Sequence, residues 1–158
     1  MPEGTGIADL QGDPYGWALT QAALLRRGGG LKALDRDGLC EFLEEWAAEM
    51  LGTVRSQMVN LLAHAAKVAM TSNPAVIGHW RSECVEFHDR LIDAYRPSMR
   101  DRIDLASLWR RAQRKVFASF DDHGETRPAL PTPCPVRVED LVDPDLDLDR
   151  LVAKIGGK

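Results

Sequence analysis

The sequence predicts an all-α protein, a four-helix-bundle-like single domain with a proline-rich C-terminal strap. The run from Arg36 to Thr71 contains no proline. Its apolar residues Leu39, Leu43, Trp46, Met50, Val54, Met58, Leu61, Ala65 and Val68 recur at alternating steps of three and four, which lines one face of a helix and not one face of a strand. Similar stripes flank it, and the pairs Asp13-Pro14 and Asn73-Pro74 join an N-cap acceptor to a proline at the first helical position, where its missing N–H is not needed.

The first helix is expected over 14–27, through Trp17, Gln21, Leu24 and Leu25, with Gly28-Gly29-Gly30 as its stop behind Arg26-Arg27. The triple glycine is no phosphate loop, because no strand precedes it and no Gly-Lys-Ser/Thr follows. The second helix, 36–71, starts at Asp35 with Leu34 and Leu39 as a hydrophobic staple, and Gly52 predicts a bend or short break within it. The third, 74–96, carries Ile77, Trp80, Cys84, Phe87, Leu91 and Tyr95, and Pro97 ends it. Ser98 with Asp101 resembles a capping box opening a fourth helix over 98–122, through Leu108, Trp109, Ala112, Val116 and Phe120. Each of these helices holds one tryptophan (Trp17, Trp46, Trp80, Trp109), expected to meet in a shared core.

Pro128, Pro131, Pro133 and Pro135 exclude helix and predict an extended strap lying on the helical body, with Cys134 turned inward and Leu141 and Val142 filling a groove. Val138 to Val142 is expected to form a short helical turn. The acid–leucine alternation after Asp143 leaves that segment's structure open, and 143–158 is expected to be an acidic, mobile tail outside the 1–142 domain.

Twenty basic against twenty-four acidic residues give a net charge of -4, which argues against non-specific attraction to nucleic acid or anionic membrane. No charge-free stretch reaches the roughly 18 to 20 apolar residues of a membrane span, and the first residues lack the basic start and apolar core of a secretory signal. A cytoplasmic protein with no membrane partner is therefore expected. Cys40, Cys84 and Cys134 are odd in number and far apart, as in a reducing compartment with free thiols.

The order of several short pieces resembles the bacterial DUF29 family of cyanobacteria and proteobacteria. The pieces are Tyr15 and Trp17, Gln21 to Arg26 with a following glycine, Leu34-Asp35 with Leu39 and Glu44-Glu45, and Leu61 to His64 with Lys67. Pro74, Trp80, Pro97 to Arg100 and Cys134-Pro135 with Leu141 complete the series. The resemblance implies a compact helical domain without an established activity, catalytic residue or cofactor.

Two polar clusters interrupt the stripes. Glu41, Glu44, Glu45 and Glu49 are dense enough for a carboxylate site, and His64 and Lys67 share a helical face. On one straight helix Glu45 and His64 lie about 28 Å apart at 1.5 Å per residue, whereas a fold-back at Gly52 would let them meet. Helix four and its entry are basic through Arg96, Arg100, Arg102, Arg110, Arg111, Arg114 and Lys115, a surface for an acidic partner or RNA if not simply solvated, though no nucleic-acid motif accompanies it. Cys84 with His88 and His79 with Glu83 are spaced as metal pairs, but a four-ligand zinc set is incomplete, so no metal is expected. Two functions compete. One is a non-catalytic interaction module, adaptor- or antitoxin-like, whose partner is a bacterial protein or its own copy. The other is a small-ligand binder or enzyme using His64, Lys67 and a helix-two carboxylate, with Gln21, Glu44, Glu45 and Trp80 as further binding candidates.

Overall fold

The structure, a computed structural model, describes residues 10, 14–27, 32 and 34–157. Among these every regular element is helical: α1 (Pro14–Arg27), α2 (Arg36–Met70), α3 (Pro74–Ala94), a 3-10 segment (Pro97–Arg102), α4 (Leu105–Asp122), α5 (Val138–Leu141) and α6 (Leu148–Gly156). The chain divides into two compact units, Met1–Ala48 and Glu49–Lys158. The cap at Asp13 and the stop at Gly28 to Gly30 lie outside the described residues.

In the first unit, Asp35 organises the start of α2. Its Oδ1 accepts from Gly38 N at 3.0 Å, the expected N-cap, while its Oδ2 accepts from Trp17 Nε1 at 3.2 Å. Gln21 Oε1 accepts from Asp35 N at 3.1 Å. Trp17 also packs on Phe42, with ring centroids 5.6 Å apart. These contacts hold α1 back along α2.

Helix α2 runs without a break through Gly52, so of the expected bend or short break the break is absent. A side chain at Gly52 would meet no neighbouring atoms, which makes this glycine a cost in helix propensity.

The second unit is built around the far half of α2. From Met58 to Val68 nearly every residue is buried, including Val59, Leu62, Ala63 and Ala66 off the main stripe. A helix apolar on all sides is one surrounded on all sides. Its alanines let neighbouring helices approach closely, and α3 (Cys84, Leu91), α4 (Leu108, Trp109, Ala112, Val116, Phe120), Val136, Leu141 and α6 (Leu151, Ile155) close the core.

Helix α3 starts as expected, Asn73 Oδ1 accepting from Ala75 N at 3.0 Å ahead of Pro74. Helix α4 does not start at Ser98. Residues 97–102 form a 3-10 segment, and Asp104 is the true cap, its Oδ1 accepting from Ser107 N at 3.1 Å. Ser98 was the wrong cap, since Asp104 sits directly ahead of the apolar stripe.

The strap lies against α4 as expected. Trp109 Nε1 and Gln113 Nε2 both donate to the Pro131 carbonyl, at 2.9 and 3.0 Å. Cys134 is half-buried and Leu141 fully buried.

The expected mobile tail is instead helix α6. Leu148, Leu151, Val152 and Ile155 fall at helical spacing, and Leu151 and Ile155 are buried. Asp147 caps its start, accepting from Arg150 N at 3.1 Å, and Gly157 ends it in the left-handed region at φ 70°. Lys154 to Asp140 (2.7 Å) and Arg81 to Asp149 (2.8 Å) tie it to α5 and α3. Of the alternating acids, Asp147 is thus the cap, Asp149 an ion partner on the helix, and Asp143 accepts from Asp145 N at 3.0 Å ahead of it.

The four tryptophans do not share one core. Trp109 belongs to the core of the second unit, Trp80 lies under Lys67, Trp17 serves the first unit, and Trp46 is 54% exposed.

Candidate functional site

The chemistry-bearing residues fall into separate places. In the second unit, α2 and α3 bring His64, Lys67, Trp80 and Glu83 together. His64 Nε2 lies 3.0 Å from Glu83 Oε2, and its Nδ1–H donates to the Asn60 carbonyl at 2.9 Å. Since a carbonyl only accepts, Nδ1 carries the proton of the neutral ring, and the Glu83 contact is completed only when Nε2 is protonated too. Burial pulls the His64 pKa below its ordinary value; the Asn60 carbonyl and Glu83 oppose that, and Lys67 and Lys115 reinforce it. The exposed His79 reaches the same Glu83 oxygen at 3.5 Å.

Lys67 is buried, its Nζ 4.8 Å from the centre of the Trp80 ring. Its pKa is lowered chiefly by burial, with Glu83 acting in the opposite sense. The ammonium is therefore tolerated at a cost and held over an indole face. Lys67→Met is expected to raise stability by about 1 kcal/mol, or about 2–4 °C in Tm, because methionine keeps the stem and sheds the buried charge. A lower Tm in a thermal melt would show that the contact with Trp80 outweighs desolvation.

The carboxylate beside His64 comes from α3 and not from α2. Glu44 and Glu45 belong to the first unit and His64 to the second. Gln21 is in the first unit, engaged with the Asp35 backbone. Glu83 was legible only as the i+4 partner of His79; its pairing with His64 crosses between helices, which no spacing along the chain reports.

The metal pairs are otherwise engaged. His88 Nε2 donates to the Asp143 carbonyl at 2.9 Å, and burial pushes the Cys84 thiol up to about 12. Among the described residues no group of three or more His, Cys, Asp or Glu is arranged to hold a metal ion. A small cavity of about 80 Å³ lies between α5 and α6, lined by Asp140, Asp143, Asp145, Asp147, Arg150 and Lys154 among others.

The basic face of α4 is exposed at Arg110, Arg111, Arg114 and Lys115. Lys115 donates to Asn60 Oδ1 at 2.7 Å. The other three make no ion pair among the described residues.

The remaining place is the start of α2. Between Gly38 and Ala48 no residue after the glycine is buried, and Leu43 and Trp46 are each 54% exposed. Glu41, Glu44 and Glu45 stand exposed around them, and no basic residue occurs from Gly38 to Val54. Leu43 and Trp46 are thus two exposed large apolar side chains three residues apart on an acidic stretch of helix.

No helix of the described residues is long and apolar enough to cross a membrane. A family model described as "Domain of unknown function DUF29" matches residues 11–147. The fold is similar to that of an alpha-helical protein of unknown function from Rhodospirillum rubrum, known from a crystal structure, with 27% sequence identity and a TM-score of 0.75 over 94% of this chain and 98% of that one. No curated protein is similar to the chain.

Proposed function

We propose, from the premise that this chain belongs to the DUF29 family, that it is a non-catalytic helical protein-interaction module, adaptor- or antitoxin-like in kind. The observation that carries this reading is the exposure of Leu43 and Trp46, 54% each, on an acidic stretch of helix. Residues of this kind cost solubility when left in water, and aromatic anchors are what interfaces bury. A role for His64 and Lys67 in catalysis is less well supported, since Lys67 is buried over Trp80 and the ring of His64 is held by Asn60 and Glu83.

The test is affinity purification at near-native expression, alongside the Leu43→Asp/Trp46→Asp double variant. The expected result is a stoichiometric partner, or a differently tagged second copy, that the double variant loses. Repeated recovery of the lone chain, or a partner indifferent to the substitutions, would overturn the reading.

A further inference from the structure

Among the described residues of the first unit only Trp17, Gln21 and Gly38 are buried. Three large apolar residues are instead left more than half exposed: Leu25 (55%) on α1, and Leu43 and Trp46 on α2.

Charge is sorted along the same hairpin. Helix α1 contains no acidic residue and ends on the exposed Arg26 and Arg27, next to Leu25. Lys32 and Arg36 add to that end, against Asp35 and Asp37. The α2 segment around Leu43 and Trp46 carries Glu41, Glu44 and Glu45 and no base. Because Trp17 meets both Asp35 and Phe42, and Gln21 meets Asp35, α1 runs back along α2. Leu25 to Arg27 then lie at the loop end of the hairpin, and Leu43 to Trp46 toward the opposite end.

We propose that the occupant of this face is a second copy of the chain, the two hairpins pairing about a two-fold axis. The rotation sets Leu25, Arg26 and Arg27 of one copy against the α2 segment of the other, and the reverse, so one contact made twice covers all three apolar side chains and matches charge at both ends. Pairing α2 directly on α2 would instead press carboxylates on carboxylates. This inference rests on the interaction-module reading and names its partner.

The experiment measures the mass of the purified full chain by light scattering and sedimentation over a wide concentration range, at low and high salt. The wild type is expected to be a dimer that loosens as salt rises. R26E/R27E and E44K/E45K are each expected to weaken dimerisation by at least about tenfold, since both ends turn repulsive. Mixing the two variants should give a heterodimer, and the fourfold exchange R26E/R27E/E44K/E45K should restore the homodimer. All of these side chains are exposed, and unchanged far-UV circular dichroism checks that the variants fold. A wild type that stays monomeric throughout, or a dimer unmoved by either reversal, would overturn the proposal. So would a fourfold exchange that restores only thermal stability in a monomer, because the charges then pair within one chain. A monomeric purified chain that still captures a different protein through Leu43 and Trp46 would overturn the self-pairing and leave the module reading intact.

Discussion

A chain ended at Val142 is expected to lose cooperative unfolding of its second unit. The truncation removes Leu151 and Ile155, both buried, together with the half-buried Leu146, Leu148 and Val152 packed on the same core. At about 1.5–3 kcal/mol for each fully buried aliphatic side chain, and less for the others, the loss is roughly 5–8 kcal/mol, comparable with the whole stability of an ordinary domain. Three polar ties go as well. The Asp143 carbonyl no longer accepts from His88, Asp140 loses Lys154, whose hydrogen bond is the main cause of its lowered pKa, and Arg81 loses Asp149. Urea titration followed by circular dichroism checks this. A truncated chain with the midpoint and slope of the full chain would mean that residues 143–158 are a dispensable tail.

Trp109→Ala is expected to destabilise the second unit by about 3–5 kcal/mol. The indole is completely buried in the core, and its Nε1 is one of two donors holding the Pro131 carbonyl. Gln113 still donates to that carbonyl in the variant, so the loss comes mainly from the cavity and not from an orphaned acceptor. The consequence reaches the strap: trypsin should cut at Arg137 much faster in the variant, because the prolines are held extended only where α4 receives them. A loss under about 1 kcal/mol, with tryptic rates unchanged, would show that the strap does not depend on this anchor.

Much of the helical skeleton was legible in the chain, and the reasons are local. The start of α3 follows from Asn73-Pro74, whose cap and fixed φ act within one turn. The stripe of α2 follows from spacing alone. The fold-back at Gly52 failed because one exposed glycine lowers propensity by only about 1 kcal/mol, too little to break a helix with buried residues downstream. The start of α4 was misplaced because Ser98 and Asp104 are both competent caps, and the choice belongs to packing of Ile103 and Leu105 against the core. At the candidate sites, the pairing of His64 with Glu83 and the cover of Lys67 by Trp80 required two helices to be set side by side.

The sequence by itself determined that the protein is helical, where α1, α2 and α3 run, and that a proline strap lies on the body, since periodicity, caps and fixed proline φ are properties of neighbouring residues. Tertiary structure decided which apolar stripes are spent inside. The same three-and-four spacing that buries Val54, Met58 and Leu61 leaves Leu43 and Trp46 in solvent, and a segment that reads as an acidic tail becomes a core helix through Leu151 and Ile155. Spacing defines a face, but only the elements packed beside it determine whether that face meets protein or water.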